Sequence, residues 1–201
     1  QDLAIRDSLT GLYVQRYFFE RLREEHHRVL RSGHSLSLLM CDLDHFKAAN
    51  DRWGHGAGDL MLVRFAEILR EKVEGGVVAR YGGEEFAVIL PETNLHGAHD
   101  FAERLREKVQ KELKTEVLAY IQRHAPEKEK AANEIDGTIS LGVATFIQGQ
   151  EENLFAKADE ALYEAKKGGR NRTVVAGARV ITGSTTDEDM EPEAMTDELA
   201  A

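Results

Sequence analysis

Apolar residues recur along the chain at two spacings, and each change of spacing predicts a new element. From Tyr17 to Leu30, Phe18, Phe19, Leu22, Val29 and Leu30 stand among charges, which predicts an amphipathic helix. Leu36 to Leu43 is nearly continuous Leu and Met around Cys41, the length of a buried central strand, and it ends in Asp42-Leu43-Asp44. His45 to Asn50 predicts a short helical turn, and Asp51 to Gly58 a polar, glycine-rich loop. Leu62, Phe65, Ala66, Leu69 and Val73 give a second helix over Asp59 to Val73, stopped by Gly75-Gly76.

Val77 to Tyr81 and Glu85 to Leu90 predict two strands of a hairpin, joined by Gly82-Gly83-Glu84. Thr93 or Asn94 caps a long helix that reaches Gln122 or beyond. Pro126 to Glu134 is a Lys/Glu/Ala stretch that reads as a solvated excursion. Thr138 to Ile147 predicts a strand. Asn153 caps a helix to about Lys167, which Gly168-Gly169 terminates, and Thr173 to Ala176 is a last short strand. Helices alternate with strands around one hairpin, so the fold class is α/β (or α+β) with a mixed sheet.

The 201 residues suit one domain with tails, and 42% apolar residues can fill a core. No apolar run approaches the ~18 to 20 residues needed to cross a bilayer, which points to a cytoplasmic domain. Cys41 is the only cysteine, so an intrachain disulfide is excluded. Net charge is −10, but seven acids and no base lie between Asp187 and Glu198. Setting these aside leaves 29 acids against 26 bases, and no basic excess suggests nucleic acid as a partner. The segment from about Gly183 reads as a disordered acidic tail.

The candidate chemistry is carboxylate chemistry. A strand that ends in Asp42 and Asp44 meets a hairpin whose tip carries Glu84 and Glu85, if the two pair. Both aspartates share a face if the strand persists, and one turns away where it breaks. Crowded acids repel unless a cation holds them, and hard oxygens suit Mg²⁺ or Mn²⁺. Gly82 and Gly83 let a nucleotide lie against bare backbone. Gly-Gly-Glu-Glu alone reads more readily as a solvated turn. Phe46 and Phe86 read as core, and Arg80 as an ion-pair partner for Asp7.

Taken in order, several motifs resemble the GGDEF family of diguanylate cyclases, in its GGEEF form. They are Asp7-Ser8-Leu9-Thr10-Gly11-Leu12, Asp42 to Lys47, Asn50-Asp51, Gly54-His55, Gly58-Asp59 and Arg80 to Phe86. Ser140 to Ala144, Ala158-Asp159, Ala165-Lys166 and Gly169-Arg170-Asn171 continue the likeness, which covers residues 7–176. The resemblance implies a palm-like mixed sheet, as in nucleotidyl cyclases and polymerases. It implies a helical linker stub over 1–6, a catalytic domain over 7–176 with an insertion around 111–136, and a tail over 177–201. It also implies condensation of two GTP into cyclic di-GMP, with two Mg²⁺ or Mn²⁺ per site and a transient antiparallel homodimer. An upstream sensor domain is a further implied partner.

By position, the resemblance makes Asp42, Glu84 and the backbone carbonyl of Leu43 the metal ligands. Glu85 is either a further ligand or part of activating the 3′-hydroxyl. Asn50 and Asp59 fall where guanine is read. Lys47, Lys166 and Arg170 fall where phosphates bind, with Phe46 and the backbone near His45 lining the triphosphate loop and Gly82 and Gly83 beside the nucleotide. The chain departs from the family at Val14-Gln15, at Ala48-Ala49 and in the longer segment from Lys111 to Asp136. Val73 and Gly76 stand where many members carry the Arg and Asp of an inhibitory product site. A non-catalytic nucleotide module would be expected to lose the acids. A mixed-purine synthase would be expected to lose Asp59, and a cyclic di-GMP receptor would need the missing Arg-x-x-Asp.

Overall fold

The computed structural model describes residues 5–126, 137–146 and 153–177. Six strands form one mixed sheet: β1 (Tyr13–Val14), β2 (Leu36–Leu43), β3 (Val77–Arg80), β4 (Glu85–Pro91), β5 (Ile139–Thr145) and β6 (Thr173–Val175). Their order is β1-β3-β4-β2-β5-β6. The outer pairs β1–β3 and β5–β6 are parallel, and the inner pairs β3–β4, β4–β2 and β2–β5 are antiparallel. Among the described residues there are five helices: α1 (Gln15–Ser32), α2 (Phe46–Trp53), α3 (His55–Lys72), α4 (Leu95–His124) and α5 (Leu154–Lys167).

Strand alternation divides the core into two layers. Leu39, Cys41 and Leu43 of β2, with Phe86, Val88 and Leu90 of β4, face a cluster from α3 and α4 that includes Phe65, Leu69, Leu105 and Val109. Leu36, Leu38 and Met40, with Ala87 and Ile89, face Phe18 and Val29 of α1 and Ala158 and Leu162 of α5. Every residue of β2 is buried, as its nearly continuous apolar run predicts. Burial pushes the Cys41 thiol up, so it stays a neutral core side chain. At Gly142 of β5, α5 packs directly on the strand. A Cβ there would overlap the Ala158 carbonyl oxygen and the Leu162 nitrogen.

Both expected caps are present. Asn94 accepts from Gly97 N at the head of α4, and Asn153 accepts from Phe155 N and Ala156 N at the head of α5. Two expectations are corrected. The segment Asp51 to Gly58 is not a loop: α2 runs through it to Trp53 and α3 restarts at His55, with Gly54 alone between them at φ 90. Burial of Trp53, Ala57 and Met61 draws these residues into helix despite weak glycine propensity. Ile5 and Arg6 are not helical either. Arg6 bridges Tyr13 antiparallel and Val14 N donates to Ile5 O, because the turn from Asp7 to Leu12 folds the chain back on itself. Residues 1–4, 127–136, 147–152 and 178–201 lie outside the described residues, and with them most of the linker stub, the excursion, the last residue of the strand expected over Thr138 to Ile147, and the acidic tail. Among the described residues no helix is long and apolar enough to cross a membrane.

Candidate active site

Register places the acids. β2 and β4 pair antiparallel with Asp42 opposite Glu85, and both lie on the sheet face covered by α5. Leu43 N donates to Glu84 O at 3.3 Å, which ties the hairpin tip to the end of β2. From the last turn of α5, Lys166 Nζ reaches Asp42 Oδ2 at 2.7 Å and Glu85 Oε1 at 4.0 Å. Asp42, Glu84, Glu85 and Lys166 therefore form one cluster built by three elements. Among the described residues no group of three His, Cys, Asp or Glu is arranged to hold a metal ion, and here the Lys166 ammonium neutralises Asp42.

Burial pushes the Asp42 carboxyl up, and Glu84 and Glu85 push it further; Lys166 opposes both, and the result is about 6. Glu84 is raised too, by burial and by Glu85, with Lys166 opposing. Asp42 and Glu84, whose ionisation the cluster disfavours, and the neighbouring Glu85 carboxylate supply the hard oxygens that a divalent cation suits.

This has a measurable consequence for the metal-free protein. Below about pH 4 Asp42 is protonated folded or unfolded. Between about pH 4 and 6 the unfolded chain releases the proton while the fold keeps it, so the fold binds more protons and stability falls as pH rises. Above about pH 6 the full penalty remains, on the order of 2–3 kcal/mol. Asp42→Asn is expected to flatten this fall and to raise the urea midpoint at pH 7.5. A midpoint lowered at pH 7.5 would contradict the burial penalty.

Asp44 is separated from Asp42. It lies just past β2, buried, and accepts from Thr138 Oγ1 at 2.8 Å, Ser140 Oγ at 2.7 Å and Asn171 N at 3.0 Å. It thus joins β2 and β5 to the loop after α5. At the hairpin, Gly82 and Gly83 do not take a left-handed conformation. An added Cβ would meet nothing within 4 Å at Gly83 and only Glu85 Oε2, at 3.6 Å, at Gly82. Neither the backbone nor the packing of the described residues requires glycine there.

Arg80 is the ion-pair partner of Asp7, as expected, with contacts of 3.2 and 3.3 Å. The same guanidinium donates to Gly83 O at 3.1 and 2.7 Å. Burial raises the Asp7 carboxyl, but hydrogen bonds from Thr10 and Arg80 outweigh it and hold Asp7 below the usual range. The remaining expected residues lie around α2 and α5. Phe46 is core, and Lys47 is exposed in the first turn of α2. Arg170 is exposed three residues beyond α5, at φ 62. Asn50 faces the start of α3, where a Cβ at Gly58 would overlap its amide oxygen, and Asp59 follows on the surface. Asn50 Oδ1 is buried with no hydrogen-bond partner among the described residues.

The sequence pattern described as "Diguanylate cyclase, GGDEF domain" matches residues 4–172. Diguanylate cyclase VdcA of Vibrio cholerae is 39% identical over 175 residues, which cover 85% of this chain and 47% of that protein. Response regulator PleD of Caulobacter vibrioides is 39% identical over 176 residues, covering 86% of this chain and 36% of that protein. The chain therefore spans about half the length of such relatives or less. The GGDEF domain of DgcB from Caulobacter crescentus, solved in complex with c-di-GMP, superposes with a TM-score of 0.72. It is 32% identical, and the match covers 89% of this chain and 99% of that one. By sequence over most of its length and by fold, this chain belongs to the GGDEF family of diguanylate cyclase domains.

Proposed function

We propose that this domain condenses two GTP into cyclic di-GMP with release of two pyrophosphates, each 3′-hydroxyl attacking the other nucleotide's α-phosphate in an antiparallel pair of domains. One observation carries the reading: the bare backbone of Gly82 and Gly83 beside three convergent carboxylates. Glycine is used there without need of the fold, which leaves close approach of a ligand as its reason.

Asp42, the Leu43 carbonyl and Glu84, with Glu85, would hold two Mg²⁺ or Mn²⁺. When bound, such ions polarise the α-phosphate and lower the pKa of the attacking hydroxyl. The protein's own groups do the rest. Lys166, which neutralises Asp42, would turn to phosphate when a cation replaces it. Lys47, exposed in the first turn of α2, and Arg170, exposed beyond α5, would add positive charge for the triphosphate. Guanine offers N1–H and N2–H₂ donors on one edge. The unsatisfied oxygen of Asn50 and the Asp59 carboxylate are acceptors for them. Val73 and Gly76 supply neither guanidinium nor carboxylate for a separate product site, so product competes only at the active site.

The test is turnover of GTP with Mg²⁺ at several protein concentrations, with ATP as competitor. Cyclic di-GMP and pyrophosphate are expected in a ratio of one to two, with specific activity rising as protein concentration rises because each turnover needs two domains. Asp59→Ser is expected to weaken GTP binding by about 1–3 kcal/mol and to relax discrimination against ATP. Absence of product at every concentration would overturn the reading, and unchanged GTP affinity in Asp59→Ser would remove Asp59 from base recognition.

A further inference from the structure

The proposed guanine readers, Asn50 and Asp59, flank the start of α3, and that start has little local support. The N-cap is Gly54, which has no side chain to cap with, and the first turn includes Gly56 and Gly58. Glycine disfavours helix. Ala57 N and Gly58 N share the Gly54 carbonyl, at 3.1 and 3.4 Å. A turn built this way depends on what packs against it.

Two side chains do so, and each occupies space that a glycine leaves. A Cβ at Gly56 would overlap the Tyr120 hydroxyl of α4, and a Cβ at Gly58 would overlap the Asn50 amide of α2. Two residues apart on a helix, Gly56 and Gly58 face nearly opposite ways, so the turn is gripped from both sides. Asp59 stands three residues beyond Gly56, on the side that Tyr120 flanks. A shift of this turn would move Asp59 and the surface against which Asn50 rests together.

Tyr120 is itself held. His124 stacks on its ring, with centroids 4.3 Å apart and planes 24° from parallel, and His124 Nδ1 lies 2.9 Å from Tyr120 O. Leu113, Val117 and Ile121 of the same helix are fully buried in the core cluster that also takes Trp53, Ala57 and Met61, and Tyr120 packs against that cluster. Close packing of this kind transmits a displacement rather than absorbing it.

We infer that Tyr120 is a positioning residue for base recognition: by filling the space at Gly56 it fixes the first turn of α3, and with it the placement of Asp59 relative to Asn50. This rests on the nucleotide reading above. It gives the distal half of α4, on which the sequence placed no site residue, a part in the choice of base.

Calorimetry with the non-reacting α,β-methylene analogues of GTP and ATP tests it. In Tyr120→Ala, affinity for the GTP analogue is expected to fall about tenfold and affinity for the ATP analogue by less than about twofold, so the ratio between them narrows. In turnover the effect is expected in KM for GTP rather than in kcat. A residue that only supported the fold would weaken both analogues alike, through a smaller folded fraction that the unfolding midpoint reports. Tyr120→Phe, which keeps the ring, is expected to retain most of the selectivity. Gly56→Ala gives an independent reading. Its methyl meets the Tyr120 hydroxyl, so it should weaken binding of the GTP analogue in wild type and do so much less in the Tyr120→Phe background. An unchanged ratio in Tyr120→Ala, or additive effects of Gly56→Ala and Tyr120→Phe, in protein that binds the GTP analogue would overturn this inference alone. No binding of the GTP analogue to wild type would overturn the nucleotide reading and this inference with it.

Discussion

Glu84→Gln is expected to reduce cyclic di-GMP formation from GTP to below about a hundredth of the wild-type rate, and Glu85→Gln to do the same. A hundredfold loss corresponds to about 2.7 kcal/mol of transition-state stabilisation, well within what loss of a cation's ligand removes. The substitution keeps the shape of the side chain and removes only its charge. Asp42, Glu84 and Glu85 now repel one another, and this repulsion is what makes the cluster attractive to a divalent ion. With one carboxylate gone, the remaining pair is better matched by Lys166 alone. Stability and activity should therefore move in opposite directions: Glu84→Gln is expected to melt higher than wild type in the absence of Mg²⁺. Initial rates with GTP and Mg²⁺, measured beside a thermal melt, give both readouts. Wild-type rates in both variants would end the metal-site reading.

The second large effect lies away from the acids. Gly142→Val is expected to destabilise the domain by about 3 kcal/mol, read from the urea midpoint. The obstacle is backbone, the carbonyl of Ala158 and the nitrogen of Leu162, so no rotamer change relieves it. The fold must either lift α5 from β5 or fail. Lifting α5 moves Lys166, which the same helix carries to Asp42. The fraction that remains folded should then show reduced activity as well. A cost below about 1 kcal/mol would mean that α5 has room to shift that the packing does not suggest.

Much of the fold is legible in the sequence because its signals are local and strong. The apolar run of β2, the caps Asn94 and Asn153, and the paired glycines after α5 each specify their element by short-range chemistry. The segment from Asp51 to Gly58 misleads because the burial of Trp53, Ala57 and Met61 that makes it helical is a tertiary effect. β1 is invisible because two residues carry no periodicity; pairing with β3 creates it. In the site, the convergence of Asp42 with Glu84 and Glu85 can be anticipated only by assuming that hairpin and strand pair, and the register of β2 with β4 supplies that pairing. That one aspartate turns away where the strand breaks is legible, but that it is Asp44, and what holds it, is not. Its partners Thr138, Ser140 and Asn171 lie some 94 to 127 residues away. The contact of Arg80 with Asp7 was accessible from charge alone, whereas its grip on the Gly83 carbonyl depends on how the turn is shaped.

That grip makes the tip of the hairpin and the opening turn of the domain a single cooperative unit. One guanidinium spans the Asp7 carboxylate, itself bound to Thr10, and the Gly83 carbonyl. A glycine-rich tip left to itself would fray on its own, with a local opening energy near zero. Tied through Arg80, it opens only when the turn from Asp7 to Leu12 lets go. The most deformable backbone beside the carboxylates thus takes its rigidity from residues more than seventy positions earlier in the chain.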